Sequence, residues 1–369
     1  MEKGIVVLSL FDGCSGGQQA LERVGIKVDK YFASEIDKYA IKVTQSNFPN
    51  TIQLGDVTNV FAKDLPKIDL LIGGSPCQSF SFAGKRKGMS TKCETEILTL
   101  EHYLDLKNQG FEFEGQSYLF WEYMRILRDI QKINPDVKFL LENVEMGEKW
   151  EKVLSKAIGV NGIHINSALV SAQNRKRIYW TNIGMIPGGL FGDLVSIIEQ
   201  PKDKGILLKD ILETEVDEKY FLRENHAGKI KNVNQKASCF TAGGNSGGNH
   251  SDMDLIKYNI SRLNETIELH KNQITQGTLI DSYNKQIHKE KSITVSTRIN
   301  ASSCTHLYSD YKIRRLTPIE CERLQTVKDN FTAHVSDSQR YKMLGNGWTI
   351  SVISHIFSYL PKEYFEIKE

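Results

Sequence analysis

The sequence predicts an α/β fold, a doubly wound and mainly parallel sheet carrying a smaller mixed domain toward its C-terminal side. Three observations predict it. Short apolar runs alternate with helical periodicity over the first 186 residues, the pattern of β-α-β units. Each run ends in small or polar residues, where ligands bind in such sheets. After Pro187 the composition shifts to Gly, Asn, Ser and Thr, and helical periodicity returns only from Arg314.

The elements follow in order. IVVLSLF (5–11) reads as a buried strand, a Gly-rich turn follows, and a helix runs from about Gln18 to Val24. Lys30–Ser34 is a second strand ending at Glu35, and Asp37–Asn47 is helical. IDLLIG (68–73) and VKFLL (137–141) are the next strands. A helical pattern covers Glu96–Lys107, and the 335–360 region is helical and expected to fold back on the first strand. The expected domains are a catalytic and cofactor-binding part over 1–186 with a loop insertion at 90–116, a recognition part over 187–311, and a return to the catalytic part over 312–369.

Composition excludes several classes. With 369 residues, 40% of them hydrophobic, the chain can build one large core and a second smaller one. A net charge of +2 gives no global bias to nucleic acid, so any DNA surface must come from local Lys and Arg clusters. The six cysteines form no C-x-x-C pair, which argues against zinc and against a disulfide scaffold, and favours a reducing cytoplasm. No apolar stretch approaches the ~18 residues of a membrane span, and no signal peptide is recognisable.

Six motifs carry chemistry. FDGCSGG (11–17) lets a backbone approach a ligand at a helix N-terminus, though its spacing is not that of a dinucleotide fingerprint. An ordinary tight turn is the competing reading. Glu35 and Asp56 follow at successive strand ends, and the three together suit an adenosine-containing ligand. GGSPCQSFSFAG (73–84) exposes Cys77 on a shaped loop, where a thiolate could attack a soft electrophilic carbon. Glu142 in LLENVE stands at the end of an apolar strand, costly unless hydrogen-bonded or functional. In SAQNRKRIYW, Gln173, Arg175 and Arg177 alternate and are expected on one face of a strand. A solvated sheet face is the alternative; Arg aimed at a site could donate to a carbonyl or phosphate.

The ordered set FDGCSGG, SEID, GDV, GGSPCQSFSFAG, LLENVE, QNRKR, RRLTPIECERLQ and LGNGW resembles that of the DNA cytosine-5 methyltransferases, most closely those of phages and mobile elements. The resemblance implies a Rossmann-like methyltransferase sheet, S-adenosylmethionine as cofactor with S-adenosylhomocysteine as product, no metal, and double-stranded DNA as partner. It implies Cys77 as nucleophile, Glu142 on the cytosine N3 and amino edge, and Arg177 on O2, with Arg175 supporting the loop or the DNA. Phe11, Asp12, Gly13, Gly17, Glu35, Ile36, Asp56, Val57, Leu119 and Asn346 would form the cofactor pocket. Gln78 and Ser81 on the Cys77 loop, with Gln173, Asn245, Arg298 and Asn300, would contact DNA. A monomer is expected, with or without a cognate restriction endonuclease.

Two departures stand out. The segment joining the P-C-Q loop to the Leu119–Phe120 helix is long and lacks the usual Arg, and it reads either as an enlargement of the mobile catalytic loop or as a surface insertion without a role. The C-terminal motif is G-N-G-W where G-N-S is usual, which removes a hydroxyl at Gly347. Ser238-Cys239-Phe240-Thr241 is similar to an element of transfer-RNA cytosine-5 methyltransferases, which keeps an RNA substrate open. A catalytically inactive DNA-binding regulator is opposed by the joint presence of Cys77, Glu142 and Arg177.

Overall fold

The computed structural model describes residues 4–76, 89, 96–113, 115–188, 193–221, 231–240, 254–259, 279–281, 286–288 and 311–365. Seven strands form one sheet: β1 (Ile5–Leu10), β2 (Val28–Ser34), β3 (Ile52–Gln53), β4 (Leu70–Gly74), β5 (Lys138–Val144), β6 (Ile163–Asn166) and β7 (Lys176–Thr181), in the order β3-β2-β1-β4-β5-β7-β6. The first five are parallel, and β7 runs antiparallel to both β5 and β6. All six residues of β1 are buried, because the strand has neighbours on both edges and layers on both faces. That is why IVVLSL reads as continuous rather than alternating.

The helices lie on two sides. One core layer holds α1 (Gly16–Val24), α2 (Lys38–Asn47), α6 (Pro318–Leu324), α7 (Asp337–Asn346) and α8 (Ile350–Phe357). The other holds α3 (Leu100–Asn108), α4 (Phe120–Ile133) and α5 (Glu148–Ile158). Burying both faces of a parallel sheet is the doubly wound solution. The chain runs outward from β1 through β2 to β3, then returns to β4 on the other side of β1. The crevice at this reversal, above the carboxyl ends of β1 and β4, is where such sheets bind ligands.

Helix ends follow local chemistry. The Asp37 side chain accepts from the Tyr39 N–H at 2.9 Å to start α2. Thr317 and Glu320 form a capping box with Pro318 in the first turn of α6. α8 packs on α1, in the same buried core as Ile5 and Val7 of β1: the Ser354 hydroxyl donates to the Ala20 carbonyl, and Arg23 donates to Ser351. The helix expected over Glu96–Lys107 begins only at Leu100, where the Thr99 hydroxyl accepts from the His102 N–H.

Beyond β7 the described strands are short antiparallel ribbons: β8 (Met185–Gly188) with β9 (Asp193–Ser196), β10 (Leu255–Asn259) with β13 (Tyr311–Arg315), and β11 (Leu279–Asp281) with β12 (Gln286–His288). Buried charges tie β13 to α6. Arg314 and Glu320, both fully buried, pair through two contacts of 2.7 Å. Among the described residues no helix is long and apolar enough to cross a membrane.

Candidate active site

The turn after β1 is built on three left-handed residues, Phe11 (φ 58°), Gly13 (φ 58°) and Ser15 (φ 56°). Such conformations are rare for residues with a Cβ and persist only where surroundings hold them. Here the hold is visible. Asp12 accepts from the Ser15 hydroxyl at 2.6 Å and from the Tyr31 hydroxyl at 2.8 Å. Burial raises the Asp12 carboxyl to about 6 against these hydrogen bonds, and the charge of Glu35 adds to the rise. Asp12 thus braces the turn and also lines the cavity beside it.

Gly13 leaves open space where a Cβ would stand, whereas a Cβ on Gly17 would meet Ile72 Cδ1 at 2.2 Å and the Tyr31 hydroxyl at 2.6 Å. Gly13 lines a cavity of about 580 Å³; Gly17 lies behind its wall and lets α1 approach β4. Glu35 accepts the Gly13, Ile36 and Asp37 N–H groups, each at 2.8 Å. A carboxylate has about four acceptor positions, so roughly one is left for a ligand hydroxyl. Ile36 lines the cavity with 70% of its surface exposed, a flat apolar face at the mouth. Asp56 follows Gly55 (φ 73°), and its Oδ1 takes both the Thr58 N–H and hydroxyl at 2.8 Å. Its Oδ2 remains for a ligand. Phe11, Val57, Leu119 and Asn346 line the same cavity.

The cavity extends to Glu142, Arg175 and Arg177. Glu142 lies within β5, and Arg177 on antiparallel β7 is its diagonal neighbour, since Val144 is opposite Arg177 and Glu142 opposite Tyr179. Arg177 Nε stands 3.0 Å from Glu142 Oε1, with the two side chains only 13% and 12% exposed. The other oxygen, Oε2, accepts from the Trp348 indole N–H at 3.2 Å. The sequence does not single out Trp348 as a partner of Glu142; the departure G-N-G-W is its only trace. The indole also stands against Gly74, whose Cβ would approach Nε1 to 2.9 Å. Next to Glu142, Asn143 donates to the carbonyl and hydroxyl of Ser75 at 3.2 and 3.1 Å, fixing the strand end that leads into Pro76.

Gln173, Arg175 and Arg177 do not share a strand face. The Asn166 side chain accepts the Arg175 N–H and the Ser167 N–H goes to the Arg175 carbonyl, so β7 starts only at Lys176. Arg175 turns inward, 4% exposed, and donates to the carbonyls of Phe240 (2.8 Å), Gly345 (3.0 Å) and Gly347 (2.9 Å). It positions the turn that carries Asn346 and Trp348 and lines the cavity beside it. Gln173 is fully buried, with neither amide atom hydrogen-bonded.

Cys77, Gln78, Ser81, Asn245, Arg298 and Asn300 lie outside the described residues. Three cysteines are among the described residues: Cys239 is partly exposed, whereas Cys14 and Cys321 are buried. Burial pushes the Cys14 thiol up to about 12 and that of Cys321 well above its ordinary value, which disfavours their thiolates. Among the described residues no group of three or more His, Cys, Asp or Glu could hold a metal.

A sequence profile of the C-5 cytosine-specific DNA methylases matches residues 5–104 and 106–362. The chain belongs to this family. Family members are methyltransferases that generally use S-adenosylmethionine. Relatives of this methylase include the orphan methyltransferase M.SPRI of Bacillus phage SPR, 28% identical over 97% of this chain and 98% of its own. The type II methyltransferase M1.ScrFI of Lactococcus lactis subsp. cremoris is 27% identical over 95% of this chain and 76% of its own. Among solved structures, the Entamoeba histolytica methyltransferase EhMeth aligns over 97% of this methylase and 98% of its own chain with a TM-score of 0.62 at 17% identity. S. pombe Dnmt2 covers 96% and 97% with a TM-score of 0.59, also at 17% identity. These two likenesses bear on the fold.

Proposed function

We propose that the protein methylates C5 of a flipped cytosine in a specific double-stranded DNA sequence, using S-adenosylmethionine and a covalent adduct between Cys77 and C6. The observation that carries this reading is one cavity joining two unlike ends: the Glu35–Asp56 acceptors and the Glu142–Arg177 pair. The first end fits an adenosine group. Glu35 offers one acceptor position to a ribose hydroxyl, Asp56 Oδ2 to the adenine amino group, and Ile36 an apolar face to the ring. Leu119 and Val57 supply apolar wall, and Asn346 stands exposed on the opposite side. When bound, the cofactor supplies an electrophilic methyl group on sulfur.

At the second end the residues answer the resistance of cytosine C5, which is a poor nucleophile while the ring is aromatic. Addition of the Cys77 thiolate to C6 makes C5 enamine-like, and C5 then takes the methyl group. Loss of the C5 proton and elimination of Cys77 restore the ring. Negative charge gathers at N3 and O2 during the addition. Glu142 would hold N3 and the amino group, and Arg177 would donate to O2; both stand in a largely dry cleft where such contacts gain strength. Reaching a stacked cytosine requires flipping, at a few kcal/mol. The catalytic domain would comprise 1–186 and 312–369, the recognition domain 187–311, and the chain would work as a cytoplasmic monomer, with or without a restriction endonuclease beside it. Asn245, Arg298 and Asn300 remain proposed base contacts on chemical grounds.

The test is methyl transfer from labelled S-adenosylmethionine to mixed unmethylated DNA and, in parallel, to transfer RNA. We expect 5-methylcytosine in DNA with wild type and none with Cys77→Ser. Label confined to RNA would move the assignment to transfer RNA. Cofactor bound without transfer to either would favour the inactive regulator.

A further inference from the structure

Between the Cys77 loop and α4, the chain forms α3 and continues to Phe113, and its contacts run toward the cavity. Leu100, Tyr103 and Leu106 bury one face of α3. The Tyr103 hydroxyl and the Lys107 ammonium both reach Glu122 Oε1 at 2.5 Å. Glu122 is fully buried in α4, and its Oε2 accepts from Arg125 Nε at 2.8 Å. Nη2 of the same guanidinium, 2.7 Å from Glu122 Oε2, also donates to the Val60 carbonyl at 2.9 Å and the Val57 carbonyl at 3.4 Å. Val57–Asn59 is the short 3-10 turn whose N-cap is Asp56. A second path is aromatic. The Phe113 ring lies 5.0 Å from Tyr103 and 4.7 Å from Tyr118, stacked on the latter at 25°. Tyr118 lines the cavity beside Leu119.

We propose that the 96–113 segment is a brace for the cofactor pocket, with Tyr103 and Phe113 as positioning residues that fix the Asp56–Val57 wall and the Tyr118–Leu119 wall. This rests on the reading of the cavity as the S-adenosylmethionine site. The physical case is one of satisfaction. A buried carboxylate must collect donors, and Glu122 has three from three side chains. Without the Tyr103 hydroxyl, Glu122 draws harder on Arg125, and Nη2, shared between Glu122 and the two carbonyls, cannot follow while keeping both. The turn that aims Asp56 Oδ2 then loses its outer support. Without the Phe113 ring, Tyr118 loses the face it stacks on and can leave the cavity wall. The segment is therefore neither an inert surface insertion nor a mere lengthening of the catalytic loop.

The experiment is calorimetric titration of the full chain with S-adenosylhomocysteine, beside thermal unfolding, for wild type, Tyr103→Phe, Phe113→Leu and Glu101→Gln. Glu101 is on the same helix but pairs with Arg128 at the surface. We expect Tyr103→Phe and Phe113→Leu to weaken binding roughly three- to tenfold each, with KM for the cofactor rising by the same factor and kcat moving less. Glu101→Gln should bind like wild type. Variants that melt earlier yet bind as wild type does would make the segment structural only and overturn the brace. Equal losses in all three variants would overturn it as well. Wild type failing to bind S-adenosylhomocysteine would instead overturn the reading of the cavity itself.

Discussion

Glu142 sits between two donors that enter from opposite ends of the sequence, Arg177 on β7 and Trp348 just before α8. Each oxygen of the carboxylate has one of them, which fixes the plane of the group before any base arrives. Pre-set orientation of this kind is what gives electrostatic stabilisation its value. Replacing Arg177 by Ala should lower the single-turnover methylation rate by about 10²–10³-fold, while affinity for S-adenosylhomocysteine holds. An affinity loss as large as the rate loss would place Arg177 at the cofactor end. Asp12 makes a different prediction. Its folded-state carboxyl, near 6, lies above the ordinary 3.8, so the native state binds the extra proton between those values. Its contribution to stability is therefore fully present below the unfolded pKa and is lost as pH rises through about 6. Asp12→Asn should flatten the fall in stability between about pH 4 and 6, the window of that shift, as read by urea unfolding. An unchanged slope would show that another group titrates there.

At the scale of elements, polar chemistry adds to apolar burial in joining the last segments to the sheet. Arg175 spends its fork on three carbonyls from two distant stretches, and Gln325 adds a hydrogen bond to the Leu344 carbonyl at 2.9 Å. The β13–α6 junction depends likewise on Arg314 and Glu320, with the Thr317 and Glu213 N–H groups completing the carboxylate. Removing one member leaves a buried charge partly uncompensated. Arg314→Met should cost about 3–5 kcal/mol of unfolding free energy. Arg314→Met with Glu320→Gln should recover part of it. A single variant as stable as wild type would mean that the buried pair does not hold the junction.

Over the whole molecule, what was legible in the sequence was what local pattern encodes. The runs at 5–11, 68–73 and 137–141 became β1, β4 and β5 because buried parallel strands need nothing but contiguous apolar residues. The acids at strand ends came to one cavity because the sheet places all carboxyl ends together. Contacts set by tertiary folding were not legible. The alternation of Gln173, Arg175 and Arg177 suggested one face, but a side-chain cap from Asn166 ends the ladder before Arg175. Gly17 belongs to the same motif as Gly13, yet only the position of Ile72 shows that it serves packing. Trp348 meets Glu142 across most of the chain length, a pairing no local window contains.

The cavity is walled at one side by Phe11 to Gly13 and at the other by Gly345 to Trp348. A ribosome makes the first wall early and the second late. Until the later wall emerges and docks, Glu142 lacks its indole donor, Arg175 has no carbonyls of 345 and 347 to hold, and the cofactor would meet half a pocket. A growing chain therefore passes through most of its synthesis with this cavity unfinished, and its second wall arrives in a single late step.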